Sequence, residues 1–194
     1  MIKNSVILQQ ASIPPIIHLN NTISGTVNLV PGYSFNDVRV NLTGNNISLS
    51  LQPTSQGAYT FDVPVGSYTI SVSTVLSSVN SFSPSSIPVT FTGVGGQTSA
   101  NNNFTPLTYT VSGTLSGVNV GYVNLSLTKI VGAYAGILYA QAKSGSQFTF
   151  TNVMNGAYDL KISDDLYFTP SSIRVTVAGT NITGQNFNIT GAMY

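Results

Sequence analysis

From about residue 22 onward, apolar and polar residues alternate in short runs broken by turn residues. In Tyr68-Thr69-Ile70-Ser71-Val72 the Tyr, Ile and Val fall on one side of an extended chain and the hydroxyls on the other. Tyr158, Leu160 and Ile162 repeat the pattern, leaving Asp159 and Lys161 together on the wet side as a solvated i,i+2 pair. This alternation predicts strands over about 22–29, 38–42, 47–51, 58–63, 67–74, 88–92 and 102–105, separated by turn signals such as Pro31-Gly32, Gly44-Asn45 and Gln56-Gly57. No apolar spacing of helical period persists beyond a turn or two. Seven short strands between regular turns predict an all-β chain built as a β-sandwich.

The pattern then occurs a second time. Phe82-Ser83-Pro84-Ser85-Ser86-Ile87-Pro88-Val89-Thr90-Phe91 matches Phe168-Thr169-Pro170-Ser171-Ser172-Ile173-Arg174-Val175-Thr176-Val177. Ile23-Ser24-Gly25-Thr26-Val27 matches Val111-Ser112-Gly113-Thr114-Leu115, Val38 to Leu42 matches Val123 to Leu127, and Asn103-Phe104 matches Asn186-Phe187. A repeat of this length is a domain rather than a solenoid unit. The expected layout is an extended arm over 1–21, a first sandwich over 22–105, a linker over 106–108, a second sandwich over 109–190 and a tail over 191–194. The three-residue linker predicts an elongated, semi-rigid tandem.

The V-S-G-T-L opening strand, the V-x-V-x-L strand, an F-x-F-x-x-V-x-x-G-x-Y-x-L hairpin and a closing strand ending in N-F resemble the carboxypeptidase regulatory-like and Cna-B-like domains. The hairpin is carried by Phe61, Val63, Gly66, Tyr68 and Ile70, and again by Phe150, Val153, Gly156, Tyr158 and Leu160. The resemblance implies two tandem Ig-like/prealbumin-like sandwiches of the kind used as stalks, spacers and adhesion modules. Gly66 and Gly156 are expected at tight turns, and Tyr68 and Tyr158 in the core with their hydroxyls at its edge. Some Cna-B-like domains carry a Lys–Asn isopeptide bond. Here neither opening strand holds a lysine and the chain has no glutamate, so no such crosslink is expected.

Six Lys and Arg against five Asp leave the chain close to neutral, with no field to steer nucleic acid or an anionic membrane. No apolar stretch reaches the length of a membrane span. Without cysteine, stability must come from packing. The one histidine, His18, lies in the proline-bearing arm, away from any nucleophile it could activate. Asp164-Asp165 is the one close acidic pair, and a calcium site there needs more oxygen ligands than the sequence obviously supplies. No catalytic residues, metal ligands or cofactor are therefore assigned. Seven N-x-S/T sequons, at Asn20, Asn41, Asn46, Asn103, Asn124, Asn181 and Asn188, are partly a chance product of so much Asn, Ser and Thr.

Two segments are candidates for binding partners. The arm carries Val6, Ile7, Leu8, Ile13, Pro14, Pro15, Ile16 and Ile17, an apolar content high for a solvated tail; its paired prolines favour an extended path. The arm is either a tail or a docking segment, and its composition favours docking. The second copy departs most from the first at residues 130–139, where Tyr134, Ile137, Leu138 and Tyr139 form either a longer hairpin with one buried face or a contact patch.

A hydroxyl- and amide-rich surface without a recognisable export signal predicts a non-enzymatic virion component of a tailed phage, a capsid decoration or fibre-like protein. Its partners would be the major capsid protein or another virion protein, further copies of itself in a homo-oligomer, and host cell-surface glycans through outer loops; no nucleic acid and no membrane are expected. The alternatives are a secreted pilus or adhesin subunit whose arm complements a neighbour's sheet at the cell surface, and a carbohydrate-binding module. The absence of tryptophan counts against the last.

Overall fold

The computed structural model describes residues 20–93, 95–132 and 136–192; the arm residues singled out above, and Tyr134, lie outside these. The first half contains β1 (Asn21–Thr26), β2 (Val38–Gly44), β3 (Ile47–Leu51), β4 (Ala58–Val63), β5 (Gly66–Thr74), β6 (Phe82–Ser83), β7 (Ser86–Phe91), β8 (Thr98–Ser99) and β9 (Thr105–Pro106). The second contains β10 (Tyr109–Gly117), β11 (Tyr122–Lys129), β12 (Ile137–Lys143), β13 (Gln147–Val153), β14 (Gly156–Ile162), β15 (Leu166–Thr169), β16 (Ile173–Val177) and β17 (Phe187–Ala192). A single 3-10 turn, Phe35–Asp37, precedes β2. The all-β expectation therefore holds.

The two halves share one topology. Sheets in the order β3-β2-β5-β7 and β12-β11-β14-β16 correspond strand for strand, as do β4-β1 and β13-β10; the pairing of β8 with β1 matches the Val111–Ile182 bridge, and β6-β9 matches β15-β17. Each half encloses its own cluster of inward side chains drawn from both of its sheets. Alternation selects them: Val38, Val40 and Leu42 point inward from β2, and Tyr68, Ile70 and Val72 from β5.

The repeated motifs have structural causes. In each half the closing segment runs parallel to the opening strand, with Val27 opposite Phe104 and Leu115 opposite Phe187. The asparagine of each N-F pair ties the two together. Asn103 Oδ1 accepts from the Thr26 N–H and hydroxyl at 2.9 and 3.0 Å, and Asn186 Oδ1 from those of Thr114 at 3.0 and 2.9 Å. The following Phe104 or Phe187 is fully buried beside Tyr59 or Phe148, at centroid separations of 6.5 and 6.4 Å. Gly25 and Gly113 let the closing segment approach: a Cβ at either would run into the carbonyl oxygen of Asn102 or Gln185. The repeated F-S/T-P-S-S-I segments both contain a cis proline, at Ser83-Pro84 and Thr169-Pro170.

Two expectations are corrected. Asp159 pairs with Arg174, directly opposite on β16, at 3.0 Å rather than with Lys161, because cross-strand partners lie closer than same-face neighbours two residues apart. The strand expected over 88–92 starts two residues earlier and keeps Pro88, which β7 tolerates as an edge strand. Pro106 opens the segment expected as the short linker. It pairs with Phe82 in β9, and the Leu107 N–H donates to Ser81 O at 2.8 Å, so the connection is pinned to the first sandwich.

Candidate functional site

Where the two halves meet, groups of both are buried together. The local logic starts from a turn each half possesses. In the first, Tyr68 at the start of β5 donates its hydroxyl hydrogen to Pro64 O at 2.9 Å, and Asn45 from the tight β2–β3 turn caps the corner by donating to Val65 O at 3.1 Å. In the second, Tyr158 donates to Met154 O at 2.7 Å in the same way. The cap there is supplied by the other sandwich. Tyr33, from the loop before β2, accepts the Met154 N–H at 2.8 Å and lies 2.8 Å from the Tyr158 hydroxyl. Because the Tyr158 proton is committed to Met154 O, Tyr33 is the donor between the two phenols. Three hydrogen bonds thus close a ring across the joint, and each hydroxyl both donates and accepts.

Met154 itself is fully buried, and its side chain belongs to the first half's core although its backbone belongs to the second. Next to it, Asn155 donates through Nδ2 to Asn80 O at 2.8 Å and accepts the Gly179 N–H at 2.7 Å, so one amide joins both halves.

The other flank is an ion pair. Lys129, the last residue of β11, places Nζ 3.4 Å from Asp37 Oδ2, with side-chain exposures of 3% and 1%. The same ammonium sits 4.9 Å from the centroid of the Tyr33 ring. The 3-10 turn carries Asp37 to this place, its N-terminus capped by Ser34, which accepts the Asn36 N–H at 3.2 Å. Gly132 shuts the pair in: a Cβ there would lie 2.8 Å from Asp37 Oδ2 and 3.0 Å from Leu76 Cδ2. Burial raises the pKa of both phenols. For Tyr158 desolvation dominates and the adjacent Tyr33 adds to it; for Tyr33 desolvation is partly offset by its hydrogen bonds to Tyr158 and Met154.

Of the contact patch expected from sequence, Leu138 is half-buried with its Cδ2 against Gly32 of the first half. Ile137 and Tyr139 stand exposed on β12, an edge strand. Asp164 turns inward to the second half, where its carboxylate accepts the Asn124 N–H at 2.6 Å and the Asn124 side-chain amide at 2.8 Å. Among the described residues no group of three or more His, Cys, Asp or Glu is placed to hold a metal ion.

Sequence reasoning missed Tyr33, Asp37, Lys129, Met154 and Asn155. One signal was available. Val123, Leu125 and Leu127 occupy inward positions of β11, and the same alternation puts Lys129 inward. A lysine in an inward slot needs a buried carboxylate partner.

No protein-family model matches this sequence, and no curated protein matches it. Among solved structures the chain is similar to the Bacillus anthracis TIE protein, at 11% identity over 89% of this chain and 34% of that one, with a TM-score of 0.47. It is similar to the major pilin of Streptococcus pyogenes at 10% identity over 90% of this chain and 99% of that one, TM-score 0.45. It is also similar to GBS52, the minor pilin of Streptococcus agalactiae, at 12% identity over 90% and 97%, TM-score 0.36. The chain spans about a third of the length of the TIE protein chain. These are likenesses of β-architecture, and no residue role passes across them.

Proposed function

We propose that this chain is a non-enzymatic structural subunit of a surface-displayed assembly. Its two sandwiches act as one strut, and its arm, residues 1–19 ahead of β1, engages a neighbouring copy. The observation that carries the reading is the joint. An ion pair, a tyrosine pair and a methionine crossing from one half into the other's core lock the halves together. A strut must transmit force without bending, and a buried joint with fixed hydrogen bonds resists bending. The setting we favour is a pilus- or adhesin-type filament. The open edges of β3 and β12 offer unpaired strand backbone to a neighbour's extended, apolar arm. The capsid-decoration reading finds no feature of the structure that favours it.

The test compares the full chain with a chain lacking residues 1–19, following mass by light scattering at rising concentration. The expected result is a ladder of multimers for the full chain and a monomer for the shortened one. Identical behaviour of the two overturns the assembly role of the arm.

A further inference from the structure

Beside the joint, and independent of the assembly reading, the first sandwich opens a groove of about 620 Å³, within the size range of small-ligand sites. Its walls are the half-exposed rings of Tyr33 and Phe35; its polar lining includes the side chains of Asn36, Gln52 and Ser55, and Gly136 of the second sandwich forms part of the rim. No charged side chain lines it among the described residues.

We infer that this groove is a binding site for a neutral saccharide. The lining fits that class on three counts. Two aromatic rings offer apolar faces to sugar C–H groups, whereas amides and hydroxyls offer paired donors and acceptors to sugar hydroxyls. The lining residues are uncharged, and the neighbouring Arg39 is already held by Gln52, Val38 and Asn36, which favours a neutral ligand over a phosphorylated or carboxylate one.

The site is also built in advance. Gln52 donates to Asn36 Oδ1 at 2.8 Å and accepts from Arg39 Nη1 at 3.3 Å, and Arg39 Nη1 is itself held by Val38 O at 2.8 Å. The Asn36 amide nitrogen and the Ser55 hydroxyl keep donors for a ligand, because the amide pair uses only the Asn36 oxygen. The Tyr33 ring cannot swing away, since its hydroxyl is fixed by Met154 and Tyr158. A groove whose rings and amides are already ordered loses little entropy when it binds. Tyrosine and phenylalanine here do what the missing tryptophan would otherwise do.

The experiment is saturation-transfer NMR on the full chain with four neutral disaccharides at millimolar concentration: lactose, maltose, mannobiose and N,N′-diacetylchitobiose. At least one is expected to receive saturation, strongest at its ring C–H protons. Gln52→Ala is expected to weaken that sugar about tenfold by removing one hydrogen-bonding amide and loosening another. Ser55→Trp is expected to abolish binding by filling the groove. Both positions are solvent-exposed, so both variants should melt as the parent does. Failure of all four sugars, or binding that survives both substitutions, overturns the assignment. Neither outcome touches the light-scattering test of assembly.

Discussion

Lys129→Met tests whether the joint makes the two sandwiches one cooperative body. At the observed 3.4 Å separation the attraction between Lys129 and Asp37 is about 5 kcal/mol at an effective dielectric constant of about 20. Desolvation of both charges offsets much of that, so the intact pair need not be strongly stabilising. Removing the lysine is different: a carboxylate whose side chain is 1% exposed loses its cationic partner, at a cost of up to about 3–5 kcal/mol. Opening the joint relieves that cost by hydrating Asp37, and gives up the tyrosine ring and the Met154 contact. The measurement is scanning calorimetry together with small-angle scattering. The parent is expected to melt in one transition. The Lys129→Met variant is expected to melt in two, the first lowered by roughly 6–20 °C, taking about 2–4 °C per kcal/mol for a chain of this size. Its radius of gyration should rise before the first transition. Adding Asp37→Asn should recover part of the loss, because it removes the buried carboxylate charge; the double-mutant cycle isolates the pairwise term. A Lys129→Met protein that melts in a single transition within about 2 °C of the parent, with unchanged scattering, would refute the coupling.

Met154→Ala empties a site in the first half's core by changing a residue of the second; the expected loss is about 2–5 kcal/mol, and calorimetry should show the first half's transition falling with the joint. Gly113→Ala drives a Cβ into the Gln185 carbonyl and should cost about 1–3 kcal/mol in urea unfolding of the second sandwich; a change below about 0.5 kcal/mol would contradict the close approach. Alkaline stability follows from the phenols. The folded chain holds the protons of Tyr158 and Tyr33 more tightly than the unfolded chain does, so stability is fully present below the ordinary tyrosine value of 10.0 and falls as pH rises above it. Denaturant melts at pH 9 to 11, compared with Tyr33→Phe, should show a shallower decline for the variant.

The sandwich build was legible because it rests on local periodicity, and the repeats made it doubly so: alternation placed Tyr68 and Tyr158, and the matched N-F pairs placed Phe104 and Phe187. The joint was not legible, because it arises where the repeats differ. In the first half Asn45 sits in a two-residue turn and caps its own corner. In the second, residues 130–136 stand in place of that turn, and among the described residues the cap at Met154 comes from Tyr33. An uncapped corner exposes a backbone N–H and a tyrosine hydroxyl, and neither can be buried without a partner. Tyr33 supplies that partner from a neighbouring sandwich. Where the two copies diverge, the corner of the second sandwich takes its cap from Tyr33 of the first. A tandem assembled this way gains its stiffness from the positions at which its two copies stopped matching, and symmetrising substitutions that restore a tight Gly-Asn-Asn turn in the second half should loosen the joint while leaving each sandwich folded.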